Sequence, residues 1–362
     1  MRKRRGEYLF APPKKRGGAR GVVLMAMFLV LAAVAAVALI NHASNTRVSL
    51  ENESVAVMGL DKAFTGFTVL HLSDLHAAAL GSNAELWEDL LYGKAVNAVV
   101  MTGDMVGSGG DYGPLVALIR TLRGVNAQAP IYFIAGDDDP EPVLSTAHGS
   151  AEVLADWVLA AQAAGAVYLD APMSQAAGAR KVWFSPEALY GVDAANMVSS
   201  LTAQKAQMEA QGAQYEGDAG ASYRALCYRL DVMERTVAAQ AEMATTDLQI
   251  AVAHAPLEAG YIRTSLEWAA GDTDAAFNFR AITLLLAGHY CGGQWRLPDG
   301  RILYVPEYGW FPDEAGLVGM QRVNSINQYV SRGLGASEAY PMGGRLFNPP
   351  GATLLRFTAS IQ

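Results

Sequence analysis

Five short segments of this 362-residue chain carry side chains able to hold cations: Ser73-Asp74-Leu75-His76, Thr102-Gly103-Asp104, Gly136-Asp137-Asp138-Asp139, Ala253-His254-Ala255-Pro256 and Gly288-His289-Tyr290-Cys291-Gly292-Gly293-Gln294. Carboxylate oxygen, imidazole nitrogen and thiolate sulfur together suit hard to borderline divalent ions. Two such ions about 3.5 to 4 Å apart acidify a shared water and absorb charge on phosphoryl oxygens. The chemistry open to these residues is therefore that of a divalent metal site, with metal-assisted hydrolysis within its reach. Each segment alone says little, since Asp-x-His and Gly-Asp are common and a lone buried His, such as His71, is most often a packed core residue. Their joint order, each at the end of an apolar run, carries the reading.

The elements that must position them follow from those runs. Residues 66–72, 97–101, 131–134, 248–253 and 282–287 are apolar and read as buried strands. Amphipathic stretches near 84–95, 114–123 and 151–164 read as helices between them. Short strands are expected at 167–169 and 181–184, and a first strand is punctuated by Val55, Val57 and Leu60. Repetition of strand, motif and helix is the mark of an α/β sheet with ligands at the carboxyl ends of its strands. Residues of about 195–246 are rich in Ala, Gln, Glu and Met at helical spacing, and read as two helices joined by a turn and inserted between core strands. The plain reading is a packed surface hairpin; the functional one is a lid or membrane-facing element. Residues 301–305, 328–331 and 352–357 read as short strands of a second sheet.

The ordered motifs resemble the dinuclear metallophosphoesterases, the calcineurin-like phosphoesterase family. The resemblance implies an α/β fold, a four-layer αββα sandwich of two mixed sheets. It implies two divalent metal ions, with zinc, iron or manganese as candidates. Asp74 and His76 would bind the first, Asp104 would bridge, and His254 and His289 would bind the second. Two motifs depart from the family. The third is normally Gly-Asn-His-Asp or Glu, whereas here Asp137 stands at the metal-binding Asn and Asp138 at the His that stabilises the transition state or protonates the leaving group. Asp138 is thus the candidate catalytic residue, able to donate a proton if Asp137 and Asp139 raise its pKa by like-charge repulsion. The fifth is normally Gly-His-x-His, and its last His, a first-metal ligand, is Cys291. A thiolate suits zinc or iron better than magnesium or manganese. The competing reading of Cys291 is a small buried apolar residue. The runs 66–74 and 329–350 resemble the membrane-associated YkuE-like or YaeI-like branch.

Residues 1–20 carry eight Lys or Arg against one Glu, and residues 21–40 carry no charge. Twenty apolar residues at about 1.5 Å each span about 30 Å, the thickness of a bilayer core. The run reads as an uncleaved anchor rather than a signal peptide. The basic flank keeps the tail in the cytoplasm and sends the rest outward. The organisation expected is a basic tail over 1–20, a transmembrane anchor over 21–41, a linker over 42–54 and a metallophosphoesterase domain over 55–362. Beyond the tail, 19 basic residues face 34 acidic ones, a net charge of −15 that disfavours nucleic acid. Cys227 and Cys291 could pair in an oxidising compartment, in competition with a ligand role for Cys291. The function expected is a membrane-anchored extracytoplasmic phosphoesterase, acting on a phosphomonoester or phosphodiester through a metal-bridging hydroxide, with a lipid-linked or envelope phosphate as substrate. The alternative is a pseudoenzyme of the same fold that binds a ligand or partner.

Overall fold

The computed structural model describes residues 18–146, 152–211, 217–271, 276–341 and 343–360. The first seventeen residues of the expected basic tail and the turn of the helical insertion at 212–216 lie outside them. The chain divides into two units, Met1–Ser44 and Asn45–Gln362.

The first unit is helix α1, Gly18–Asn45, which runs into the start of the second. Residues Arg20–Asn45 are long and apolar enough to cross a membrane, and Phe28, Leu31 and Leu39 on it are exposed. A signal sequence of the same composition has the same length and exposure.

In the second unit, strand β1 (Ser49–Met58) occupies part of the expected linker and is followed by β2 (Thr68–Leu72). Helix α2 (Ala84–Leu91) is capped by Asn83, whose side chain accepts from the Leu86 N–H. Then come β3 (Ala98–Met101), α3 (Gly113–Val125), β4 (Ile131–Phe133), α4 (Asp156–Ala163) and β5 (Val167–Tyr168). The chain crosses to a second sheet through β6 (Met173–Ala177) and β7 (Arg180–Pro186). The insertion follows as α5 (Ala194–Ala210) and α6 (Gly217–Glu242), the two helices expected there. The core resumes with β8 (Leu248–Val252), α7 (Ala259–Trp268) and β9 (Ile282–Ala287). A small sheet of β10 (Trp295–Arg296), β11 (Ile302–Val305) and β12 (Gly309–Trp310) precedes β13 (Gly319–Val323), β14 (Ile326–Val330) and β15 (Gly351–Ser360).

Two six-stranded sheets result, in the orders β1-β15-β2-β3-β4-β5 and β13-β14-β9-β8-β7-β6. Both are mixed. In the first, β15 runs antiparallel to β2, while β2, β3, β4 and β5 are parallel neighbours. In the second, β7, β8, β9 and β14 are parallel, flanked by antiparallel β6 and β13. Val69, Val100 and Tyr132 of the first sheet meet Phe184, Ile250, Leu284 and Tyr329 of the second in a buried layer. On the outer faces, α2, α3 and α4 cover the first sheet, and α7 with the end of α6 covers the second. This is the four-layer sandwich. Burial on both faces explains why β2, β3 and β8 are buried at every position and read as mostly apolar runs rather than alternating ones.

Only one of the three segments expected in a second sheet lies there. Residues 328–331 overlap β14, but 352–357 fall in β15, which fills the first sheet between β1 and β2, and 301–305 belong to the small third sheet. Ala352 and Leu354 face the helix side while Leu355 and Phe357 face the inter-sheet layer. Local pattern fixes that such a strand is buried, whereas its sheet is decided by which edge the returning chain reaches. Cys227, half-buried on α6, and Cys291, buried beyond β9, are both free, so the pairing is not formed.

Candidate metal centre

Parallel β2, β3 and β4 in one sheet and β8 and β9 in the other end at the same side of the sandwich, and each hands the chain to one of the five motifs. The turns there are tight. Asp74, His76, Asp104, His289 and Cys291 all have positive φ, between 45° and 78°. L-residues rarely adopt this conformation, and it concentrates where surrounding structure over-determines the backbone. Strand pleating does not place Asp74 and His76 on one face. The strand stops at Leu72, and left-handed turns present both side chains while Leu75 is fully buried in the core. Two glycines permit the close approach. A Cβ on Gly136 would overlap the Asp104 carboxylate, and one on Gly103, at φ +94°, would sit 2.6 Å from the Gly136 nitrogen and 2.7 Å from His254 Nδ1.

One donor set comprises Asp104, Asp137, His254 and His289, with donor atoms within 4.8 Å of one another. His254 Nε2 lies 2.5 Å from Asp137 Oδ1 and 3.2 Å from Asp104 Oδ2. Its Nδ1 donates to the Thr102 carbonyl at 2.8 Å, which leaves Nε2 directed at the carboxylates. His289 Nδ1 is 3.2 Å from both Asp137 Oδ1 and His254 Nε2, and its Nε2 is 3.3 Å from Glu307 Oε1. Burial works against a charge on either imidazole, yet the facing carboxylates prevail and raise His254 to about 11 and His289 to about 10. Hydrogen bonds from His254 and then His289 hold the Asp137 carboxyl far below its usual range. In the metal-free chain, protons on two imidazoles thus supply the positive charge.

The second set is Asp74, His76 and Cys291, and a third, His76, Asp104 and Asp138, joins it to the first through Asp104. Asp74 accepts from the neighbouring Ser73 hydroxyl and, at 2.8 Å, from the His289 N–H. His76 Nε2 lies 3.8 Å from Cys291 Sγ and 3.7 Å from Asp104 Oδ2, and its Nδ1 lies 3.8 Å from Asp138 Oδ2. Burial pushes the Cys291 thiol well up, with the Asp74 charge adding to the rise. Asp138 is half-buried and also raised, by burial first, then by the Asp104 charge and to a smaller degree by Asp137. Asp139 has no part in that rise, contrary to the expectation from sequence. Its buried carboxylate faces away and accepts from the N–H groups of Met105, Val106, Gly107 and Gly136, tying the second motif to the third.

The residues fit two divalent cations. The sets offer two oxygens with two nitrogens, and an oxygen with a nitrogen and a sulfur, with Asp104 of the first lying 3.7 Å from His76 of the second. Sequence reasoning missed several supporting side chains. Glu307 orients His289, and Ser337 donates from Oγ to Asp138 at 3.3 Å. The fully buried Arg345 donates to the carbonyls of Cys291 and Arg332, and Asn348 to those of Cys291 and Gly293. The C-terminal segments 329–335 and 345–350 carried a signal for Arg345 and Asn348; nothing local marks Glu307 or Ser337.

Residues 67–292 match the family model of the calcineurin-like phosphoesterases, so the chain belongs to that family. Its class is that of metal-dependent phosphoric ester hydrolases, which use two divalent metals, and its Asp and His clusters provide for them. No curated protein matches the chain. Among solved structures it is similar to phosphopantetheinyl hydrolase of Mycobacterium tuberculosis, at 11% identity over 74% of this chain and 89% of that one, with a TM-score of 0.35. It is similar to TT1561 of Thermus thermophilus at 10% identity over 75% and 91%, with a TM-score of 0.33. A dimetal phosphatase of Danio rerio gives 10% identity over 75% and 88%, also with a TM-score of 0.33.

Proposed function

We propose that the chain is a membrane-anchored, extracytoplasmic phosphoesterase of the YkuE-like or YaeI-like branch, acting on a phosphomonoester or phosphodiester of a lipid or of the cell envelope. The observation that carries the catalytic part is the pair of donor sets joined by Asp104, a member of the first set that lies 3.7 Å from His76 of the second. Asp74, His76 and Cys291 would hold one cation and Asp137, His254 and His289 the other, with Asp104 between the two sets. When bound, the two cations supply an acidified water and positive charge for the phosphoryl oxygens. The chain's own residues do the rest. Thr102 and Glu307 fix the tautomers of His254 and His289 so that one nitrogen of each faces inward. Asp138, steadied by Ser337 at the edge of the cluster, holds a proton for the departing alkoxide. Support for the branch comes from the 329–350 run, and support for the anchor from exposed, apolar α1 behind a basic flank.

The full chain, purified and loaded in turn with zinc, iron and manganese, should bind near two equivalents of metal and cleave an aryl phosphodiester. A neutral Cys291 thiol and a carboxyl where the family has imidazole favour the pseudoenzyme reading instead. One equivalent or none, without turnover on any metal, would establish it. An intact N-terminus on the membrane-bound protein, with the domain open to protease from outside, tests the topology; cleavage before residue 45 or cytoplasmic exposure defeats the anchor proposal.

A further inference from the structure

A cavity of about 620 Å³ opens between the sandwich and the inserted helices, and His254 of the metal centre lines one end of it. Its floor is Leu169, Leu189 and Val252, at the ends of core elements, and its roof is Met197 and Leu201 of α5 with Val232 of α6. Leu169, Leu189, Leu201, Val232 and Val252 are buried and Met197 is half-buried, so the wall facing the cavity is aliphatic. Of the charges beside it, Asp170 is paired, Arg229 faces solvent and Glu187 is half-buried. Asp170 is bound by both guanidinium nitrogens of Arg235 at 2.8 Å and by the Tyr228 hydroxyl, and Arg229 is exposed at the rim. Glu187 is raised by burial. A pocket of this size is in the range that encloses a sizeable ligand, and its mostly aliphatic wall suits an apolar chain, with the charged groups at its rim and at the metal-centre end.

We propose that this cavity holds the aliphatic chain of the substrate, so that the site acts on a lipid phosphate ester whose alkyl or acyl chain runs from the metal centre beneath α5 and α6. The inference rests on the phosphoesterase reading and deepens it by naming a substrate class. It also gives the insertion a role: α5 and α6 have a small apolar cluster of their own, Leu201, Leu226 and Leu230, yet Met197 and Met233 beside it remain half-buried. Unbranched, polarisable methionine adapts to a flexible chain.

The test uses the full chain held in amphipol and loaded with zinc or manganese. Calorimetry compares dodecyl phosphate with butyl phosphate, and turnover compares p-nitrophenyl dodecyl phosphate with the butyl analogue. Full burial multiplies affinity about fourfold per methylene, so a partly open cavity should still favour dodecyl by more than about 100-fold. Met197→Glu, or Ala188→Trp at an exposed lining position, should cut that ratio below about tenfold, with Met197→Leu restoring it and thermal melting confirming the fold. A wild-type ratio within about threefold overturns the inference, as does a large ratio untouched by either folded variant. Chain-dependent binding without any turnover would defeat the phosphoesterase reading and leave the subsite standing. Turnover without chain preference would do the reverse.

Discussion

Cys291, His254 and His289 hold protons in the metal-free chain, for opposite reasons. Burial keeps the thiol neutral, whereas facing carboxylates keep the imidazoles charged up to about 11 and 10. Loading two cations at pH 7 must displace these protons, so calorimetry in buffers of different ionisation enthalpy should find about three released per chain. Metal affinity should climb steeply from pH 6 to pH 9, and a pH-independent affinity would show that these groups are not ligands. Asp138 has a separate signature. Asp138→Asn keeps the shape and removes the acid, so kcat should fall about 100-fold or more while metal content stays at the wild-type level. Asp138→His together with Asp137→Asn and Cys291→His restores the family's motifs and should raise turnover; no gain would mean that the natural residues do not hold activity down.

The loops are positioned at the element scale by the parallel registers of β2 with β3 and β3 with β4, and of β8 with β9. The second and third motifs are then locked by Asp139 through four backbone N–H groups and by the missing side chain of Gly136. Gly136→Ala would push a methyl group into the Asp104 carboxylate. A displacement of about 1 Å in a reacting group can cost about 100-fold in rate, so this variant should lose activity by that order and bind metal poorly while its circular dichroism is unchanged. Asp139→Ala would orphan several buried donors and should destabilise the domain by about 1–3 kcal/mol, read from the denaturant midpoint.

Across the whole molecule, one buried imidazole links the sandwich to pH. His71 on β2 is fully buried between the sheets, edge-on to Tyr329 with ring centroids 5.8 Å apart, and its Nδ1 has no hydrogen-bond partner. Burial lowers its pKa to about 3. The folded chain therefore refuses a proton that the unfolded chain accepts below about 6.5. His71 contributes stability above that value and loses it as pH falls toward about 3. Between pH 7 and pH 5 the wild type should lose about 2 kcal/mol more than His71→Leu in parallel unfolding measurements. Equal losses would show that His71 is not held neutral.

The sequence by itself pointed to the class of fold, because apolar runs long enough to be buried on both faces alternate with helical stretches, and the order of its motifs, through their resemblance to a family, implied the seven candidate ligands. It also determined the two helices of the insertion, whose periodicity is local. It did not reveal that 352–357 completes the first sheet, that Glu307 reaches His289, that Asp139 turns inward, or that an aliphatic cavity lies under α5 and α6 beside His254. These were decided by the tertiary structure alone. Sheet membership, second partners of a ligand and the walls of a cavity join residues tens to hundreds of positions apart, and no periodicity along the chain encodes a distance across it.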